Sequence, residues 1–443
     1  MSKKIYMLTF GCQMNDYDSE LVKGVLQKAG YVFVQDMKLA DIILLNTCSV
    51  RKTAVLHVHG KLSYELKPLK EANPNLIIGV LGCIAEDAKE EMFKFAPYVD
   101  LVIGPRRIGK LKESIEKILQ ERNKILFTGE SEAEEKIYFD SLHFDIQRSN
   151  NIKANVTIIR GCSNYCSYCI VPYLRGKEIS RQPEDIIGEV KRLADEGFKE
   201  ITLIGQNVDS YGKDLNANMN FAKLLEMVSK IKEILRIRFA TSHPRDMSGD
   251  VINVIKQFPQ ICEHFHIPVQ AGADKILKLM NRGYTNSEYR CLVDKIRKII
   301  PDASITTDII VGFPGEEDID FNETLKLIKD IEVDFAFTFK YSIRKGTKAA
   351  DMTNQIDEKI KAERLKILSD VQADISKRKN EKLIGNTIDI LIDGYDKKAQ
   401  NKLIGRTKTN KLVILNGEGN LIGKIVDVKI VKANAWTLYG DLI

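Results

Sequence analysis

Asn155-Val156-Thr157-Ile158-Ile159-Arg160-Gly161-Cys162-Ser163-Asn164-Tyr165-Cys166-Ser167-Tyr168-Cys169 is a strand-like run that delivers three thiols in a CxxxCxxC loop. The β-branched stretch through Ile159 favours extended chain, and Arg160-Gly161 separates it from the first cysteine. An iron–sulfur cluster is normally held by four thiolates. A loop with three and no fourth nearby leaves one iron of a cubane uncovered, by the logic that separates open catalytic metal sites from closed structural ones. A small molecule should fill that position. The alternative is a zinc knuckle, which requires ligand pairs or an adjacent Cys or His partner, and neither is close in sequence.

Outward from this loop, strand-like runs recur at Glu200–Ile204, Ile237–Ala240, Phe265–Val269, Ser304–Val311 and Asp334–Tyr341. Amphipathic stretches such as Glu184–Glu196 and Phe221–Ile234 separate them, and the charged run Glu358–Lys379 reads as a closing helix. Six strand–helix units predict a partial (β/α)6 barrel over residues 152–378. Barrel chemistry collects at the carboxyl ends of strands, so Gln206, Asn207, Ser242, Gln270 and Asp308 are candidate cofactor-binding residues, beside His243 and Tyr341. Each is equally readable as a strand cap. His264 and His266 share a strand face but lack a third ligand at metal spacing, and read as pocket or core residues. Gly312-Phe313-Pro314-Gly315-Glu316 is a turn that could close over a cofactor.

Before the barrel, Ile5–Phe10, Asp41–Leu45, Leu76–Leu81 and Val99–Ile103 alternate with helix-length segments, which predicts an open parallel α/β sheet over residues 1–120. Residues 121–151, including the acidic run Glu130–Glu135, read as a solvated connection. Cys12, Cys48 and Cys83 each follow one of the N-terminal strands. Ligand sites in open α/β sheets form beyond the carboxyl ends of strands, so these thiols are candidates for a second metal centre. Three unrelated buried cysteines would be the other reading. Cys262 and Cys291 have no such context and read as structural.

After the barrel, period-two alternation at Thr387–Ile392, Lys411–Leu415 and Gly423–Val431, with turns expected at Asp393-Gly394 and Asn416-Gly417, predicts a small all-β domain over residues 379–443. Lys397, Lys398, Lys402, Arg406, Lys408 and Lys411 crowd a stretch between the expected strands. They suit an RNA backbone or a solvated face equally, and Tyr395 is the one aromatic platform in that stretch.

At 443 residues, more than one core is required, since single cores stop growing at roughly 250–300 residues. The composition, 44% hydrophobic and 29% charged with no apolar run near the ~20 residues of a membrane span, is that of a soluble protein. The N-terminus lacks a signal-peptide pattern, so the expected location is the cytoplasm, where eight cysteines are not expected to form disulfides and the six that cluster point to metal binding or catalysis. A net charge of +6, from 67 basic and 61 acidic residues, is too small to prove nucleic-acid binding.

Together, the dispersed cysteines, the CxxxCxxC loop followed by Ile170-Val171-Pro172-Tyr173-Leu174-Arg175-Gly176-Lys177-Glu178, and the basic β domain resemble the methylthiotransferase family of radical S-adenosylmethionine (SAM) enzymes over nearly the whole chain. Within it, Gly11-Cys12-Gln13-Met14-Asn15-Asp16-Tyr17-Asp18-Ser19-Glu20, Asn46-Thr47-Cys48-Ser49-Val50-Arg51 and Gly405-Arg406-Thr407-Lys408-Thr409-Asn410-Lys411 look most like the branch acting on isopentenylated adenosine. The resemblance implies two [4Fe-4S] clusters, one on Cys162, Cys166 and Cys169 that binds SAM, the other on Cys12, Cys48 and Cys83 that delivers sulfur. It further implies a C-terminal TRAM domain that binds RNA, and 2-methylthiolation of N6-isopentenyladenosine at position 37 of tRNA, beside the anticodon. An electron donor and a sulfur source are implied as partners, without identities, and no membrane. Two stretches depart from relatives: Ala271-Gly272-Ala273 stands where many have Ser-Gly-Ser, and Ile343-Arg344-Lys345-Gly346-Thr347 lacks their prolines. Other substrates of the same chemistry, threonylcarbamoyl-adenosine in tRNA or a ribosomal-protein aspartate, are the neighbouring readings, and a zinc-containing RNA-binding protein is the non-catalytic one.

Overall fold

The structure is a computed structural model. It describes residues 2–49, 52–129, 146, 148, 150–215, 218–397, 399 and 401–443. Val50, Arg51, the acidic run Glu130–Glu135 and Lys398 lie outside them. The chain divides into two compact units, Met1–Asn150 with Arg160–Ser163 and Ile170–Arg181, and Asn151–Ile159 with Asn164–Cys169 and Gln182–Ile443.

In the first unit a six-stranded parallel sheet runs in the order Val32–Phe33, Lys4–Thr9, Ile42–Thr47, Ile77–Gly82, Leu101–Ile103, Ile125–Phe127. Ile42–Thr47 and Ile77–Gly82 are buried at every position, as strands covered on both faces must be, which explains their near-continuous apolar sequence. Ile125–Phe127 supplies the edge strand from within the stretch read as a connection. Its three residues are too few for a periodic signal.

The second unit carries two three-stranded parallel sheets, Lys153–Thr157, Glu200–Ile204, Arg236–Phe239 and then His264–His266, Ser304–Val311, Phe335–Lys340. A parallel bridge between Ile237 and Ile261 stands between the two sheets. Six strands therefore follow one another in chain order, as the partial barrel requires. One strand face packs beneath helices through Ile201, Leu203, Ile237, Phe265, Ile305 and Ile309. The opposite face is polar: His264 and His266 both contact the Thr306 hydroxyl, and Arg238 pairs with Glu200. The helix expected over Phe221–Ile234 ends at Val228. Ser229 bonds back to the Leu225 carbonyl there, and Ile231 and Ile234 enter the core from the turn that follows.

Five strands, Thr387–Tyr395, Lys402–Arg406, Leu412–Asn416, Ile425–Ala433 and Thr437–Leu442, close into a small barrel around Ile390, Ile392, Leu403, Val413, Val428, Ile430 and Leu438. Asp393-Gly394 is not a turn. It lies within Thr387–Tyr395, where the register shifts between Ile392 and Gly394 as a bulge that lets the strand bend round the barrel. Among the described residues no helix is long and apolar enough to cross a membrane.

Candidate functional site

Cys12, Cys48 and Cys83 stand at the carboxyl ends of three adjacent parallel strands, Lys4–Thr9, Ile42–Thr47 and Ile77–Gly82. Thr47 is the register partner of Gly82, so Cys48 and Cys83 leave the sheet side by side. Cys12 caps the helix Gln13–Lys28 and Cys83 begins the helix Cys83–Ala88. Gly11, at φ +124°, makes the approach possible: a Cβ there would lie 2.2 Å from Cys48 Cβ. Cys12 is exposed, whereas Cys48 and Cys83 are buried. A hydrogen bond with Cys48 brings the Cys12 thiol down to about 5, against partial desolvation by the chain packed round an otherwise surface residue and helped by the Arg175 charge and the N–H groups of Asn15 and Met14. Burial pushes Cys83 upward, opposed by Arg175.

Arg175 was not singled out by sequence reasoning, yet its buried guanidinium donates to Asn15 Oδ1 (2.7 Å) and Asp18 Oδ2 (3.1 Å) and lies against Cys83. Nη1 finds no oxygen or nitrogen acceptor among the described residues. Asn46 Nδ2 in turn bonds the Asn15 carbonyl and the Ser19 hydroxyl, each at 2.9 Å. Asn15, Asp18 and Ser19 thus spend one helix face on polar contacts. That signal was legible, because polar residues at i, i+3 and i+4 occupy the stripe where a helix ordinarily places apolar ones.

Among the described residues no three His, Cys, Asp or Glu side chains group as ligands of a single metal ion. A cubane holds its thiolates at the corners of a body several ångströms wide, which is a different requirement. A cationic guanidinium beside three thiols on one sheet edge suits a thiolate-ligated cluster, whose net charge is negative.

The two parts of the CxxxCxxC stretch are each tied down within their own unit. In the first unit Cys162 N–H donates to the Gly176 carbonyl (3.1 Å). In the second, Cys169 N–H donates to the Cys166 carbonyl (2.9 Å), and Arg282 donates to Cys166 Sγ (3.3 Å), the Pro268 carbonyl (2.8 Å) and the Tyr284 hydroxyl (2.9 Å). Asn281 Nδ2 holds the carbonyls of Asn164 and Tyr165. Arg282 is a second buried cation beside a thiol that sequence reasoning missed.

At the strand ends of the second unit, Asn207 Nδ2 donates to Asp246 (2.7 Å), while Asn207 Oδ1, Gln206 Oε1 and His243 Nε2 are buried without a hydrogen-bond partner among the described residues. His243 N–H donates to Asp209 (3.0 Å), and Ser242 lies beside the same carboxyl. Burial pushes Asp209 up to about 7; burial and the Arg282 charge push His243 down to about 3. Gln270 adopts φ +73° and exchanges backbone bonds with Asp308 and Ile310; Asp308 faces His266 at 3.5 Å. Orphaned polar atoms at these ends are what a polar cofactor such as SAM could satisfy. The Gly312–Glu316 turn is tied down instead: Glu316 accepts from Gly312 N–H and from Arg364 (2.7 Å) of the helix Glu358–Glu381.

The basic stretch of the small barrel is redistributed. Lys402 and Arg406 lie on a strand rather than between strands. Lys411 pairs with Asp334 (3.1 Å) and Asn380 (2.9 Å), and Arg406 bonds the Asn410 carbonyl. Arg236 and Arg238 of the six-stranded run donate to the carbonyls of Arg406 and of Thr407 and Lys408. Much of this segment therefore moors the barrel. Cys262 is buried, but Cys291 is exposed and lies outside the core.

Comparison with known proteins matches the Radical SAM superfamily over residues 156–328, the uncharacterized protein family UPF0004 over 4–104 and the TRAM domain over 381–443. These matches define a radical SAM protein with an additional domain on either side. The tRNA-2-methylthio-N(6)-dimethylallyladenosine synthase of Thermoanaerobacter pseudethanolicus is 48% identical over 98% of this chain and 92% of its own length. The proteins of that name from Clostridium botulinum strain Langeland and Carboxydothermus hydrogenoformans are 47% and 46% identical, over 99% and 100% of this chain and 97% and 99% of their own lengths. The chain belongs to the tRNA-2-methylthio-N(6)-dimethylallyladenosine synthase family. Among solved structures, the radical S-adenosylmethionine methyltransferase TsrM of Kitasatospora setae, with cobalamin and a [4Fe-4S] cluster bound, superposes with TM-score 0.58 at 11% identity, covering 79% of this chain and 74% of that one. The cobalamin-dependent enzyme OxsB gives 0.53 at 13%, covering 84% and 56%. At such identities these two speak for the fold alone.

Proposed function

We propose that this chain is a radical SAM methylthiotransferase that converts N6-isopentenyladenosine to its 2-methylthio derivative at position 37 of tRNA. The observation that carries the reading is the convergence of Cys12, Cys48 and Cys83 on one sheet edge, in a chain that also carries the CxxxCxxC loop and belongs to this family. Cys162, Cys166 and Cys169 hold the SAM-binding [4Fe-4S] cluster and Cys12, Cys48 and Cys83 the sulfur-delivering one. When bound, these groups supply the radical and the sulfur that substitution at an unactivated aromatic C–H requires, which acid–base side chains cannot provide.

The chain's own residues position and shield. Arg175 and Arg282 set positive charge beside thiols of the two sets. Gln206, Asn207, Ser242, Gln270 and Asp308 would line the SAM site, where the orphaned amide oxygens of the first two are free to accept hydrogen bonds. The adenine must leave its stack, because C2 lies on the Watson–Crick side. Residues 1–127 then serve sulfur delivery, 152–378 SAM chemistry and 379–443 the grip on RNA. An electron donor and a sulfur source come from outside the chain.

Iron per chain after anaerobic reconstitution tests the assignment. The Cys162→Ala, Cys166→Ala, Cys169→Ala variant should fall from roughly eight irons to about four, as should the Cys12→Ala, Cys48→Ala, Cys83→Ala variant. Nucleoside mass analysis of a deletion strain tests the substrate: unchanged methylthio-isopentenyladenosine would overturn it.

A further inference from the structure

The strand Phe335–Lys340 reads Phe-Ala-Phe-Thr-Phe-Lys, so its alternation places Phe335, Phe337 and Phe339 on one face. Thr338, on the other, bonds Ser369 of the helix Glu358–Glu381. This strand ends the run of six, with Ser304–Val311 as its neighbour. Its aromatic face is left open: Phe337 is 47% and Phe339 38% exposed.

The row continues onto the small barrel. Trp436 is 58% exposed and meets Phe335 edge-on at 5.5 Å; Phe335 meets Phe337 at 4.8 Å, and Phe337 meets His266 at 5.8 Å. Trp436 sits in the turn between Ile425–Ala433 and Thr437–Leu442. Asn434 Oδ1 accepts from the backbone N–H groups of Trp436 and Thr437, and Asn380 Nδ2 holds the carbonyls of Asn434 and Ala435. The ring is thus presented on a braced turn. On the preceding strand Lys429 and Lys432 are exposed and unpaired with any carboxylate among the described residues, with Lys432 above the Tyr439 ring at 5.9 Å. Exposed aromatic rings in a row, in a unit whose small barrel also presents lysines on Ile425–Ala433, match the demands of unpaired nucleobases on a phosphate backbone, since every base has a face to stack and every linkage a negative charge.

We propose that Trp436, Phe335 and Phe337 form a stacking track for unpaired bases of the RNA substrate, so that the small barrel and the last strand of the six-stranded run grip one single-stranded segment. This rests on the proposed function and adds the surface that reads the loop. His266 and Asp308, at the track's end, lie on the polar strand face.

Trp436 is the chain's one tryptophan, so its fluorescence reports on the track directly. The reconstituted full chain is titrated with an anticodon stem-loop carrying isopentenyladenosine, and with a fully paired RNA of equal charge. The stem-loop should quench the emission saturably and the duplex should not. By anisotropy of labelled stem-loop, Phe337→Ala and Trp436→Ala should each weaken binding about tenfold, Trp436→Phe should restore it, and the salt dependence should keep its slope because no phosphate contact is removed. Equal quenching by the duplex, or wild-type affinity in both alanine variants, would overturn the track. Failure of the function reads differently: the wild-type protein would then bind the stem-loop with quenching but form no methylthio product.

Discussion

Asp334 joins three elements of the second unit, and removing it should loosen all of them. Its carboxylate accepts from Ile305 N–H (3.0 Å) at the start of a strand, from Lys379 (2.9 Å) of the helix Glu358–Glu381 and from Lys411 (3.1 Å) of the small barrel. The residue is 8% exposed, and the two lysine side chains are 24% and 14% exposed. Asp334→Ala leaves both ammonium groups without their counter-charge. Breaking a buried pair costs about 3–5 kcal/mol, and the residual exposure of the lysines places this site near the lower end, ~3 kcal/mol. At roughly 2–4 °C per kcal/mol, the melting temperature should fall by about 6–12 °C. Burial opposes the charge, but Lys411 and Lys379 hold the carboxyl below its ordinary range. Its contribution is therefore complete above about pH 4 and is lost as pH falls through the folded value, so the variant should also show a flatter acid limb. Calorimetry of the wild type, Asp334→Ala, Lys411→Ala and the double variant supplies the cycle, with an expected coupling of about 1 kcal/mol or more. A melting temperature within about 1 °C of wild type, or coupling below roughly 0.5 kcal/mol, would refute the argument.

Gly11→Ala, at φ +124° and with its new methyl 2.2 Å from Cys48 Cβ, should displace Cys48 and halve reconstituted iron while far-ultraviolet circular dichroism is unchanged. Arg175→Met strands the buried Asp18 carboxylate and should lower stability by about 3 kcal/mol in denaturant titration, with much of the loss recovered by adding Asp18→Asn. Asp209, pushed up to about 7 by burial, is held protonated by folding; the native state loses stability as pH rises from about 4 towards 7, at roughly 1.4 kcal/mol for each pH step of one. Asp209→Asn should consequently stabilise the protein more at pH 8 than at pH 5, and equal melting shifts at both values would contradict the buried-acid argument.

The architecture was legible wherever burial imposed a simple period. Strands such as Glu200–Ile204 and Ser304–Val311 emerged at their observed bounds because each alternates or runs apolar for long enough to register. Three-residue Ile125–Phe127 did not, and neither did Lys402–Arg406 or Thr437–Leu442, whose glycines and charges mask the alternation of Leu403 and Leu438 into the barrel core. Strand-end cysteines were visible as a set, since a parallel sheet brings every carboxyl end to one edge. What could not be read was which distant cation would face them: Arg175 lies more than 150 residues from Asp18 and Asn15 in sequence, at separations of 157 and 160.

Charge along the chain left the question open for a related reason. A run of lysines and arginines says nothing about which way each one points, and here Lys411 and Arg406 turn toward Asp334, Asn380 and the Asn410 carbonyl. Lys429 and Lys432, exposed and without a carboxylate partner among the described residues, lie on a different strand whose sequence reads as ordinary period-two alternation. Aromatic platforms were hidden in the same way, because Trp436 and the phenylalanines of Phe335–Lys340 stand about a hundred residues apart in sequence and become one row only when Asp334, Lys411 and Asn380 fasten the barrel beside the sheet. The mooring contacts and the open ring faces are therefore parts of one arrangement. If so, Asp334→Ala should weaken stem-loop binding without touching RNA, and Trp436→Ala should weaken it without changing the melting temperature.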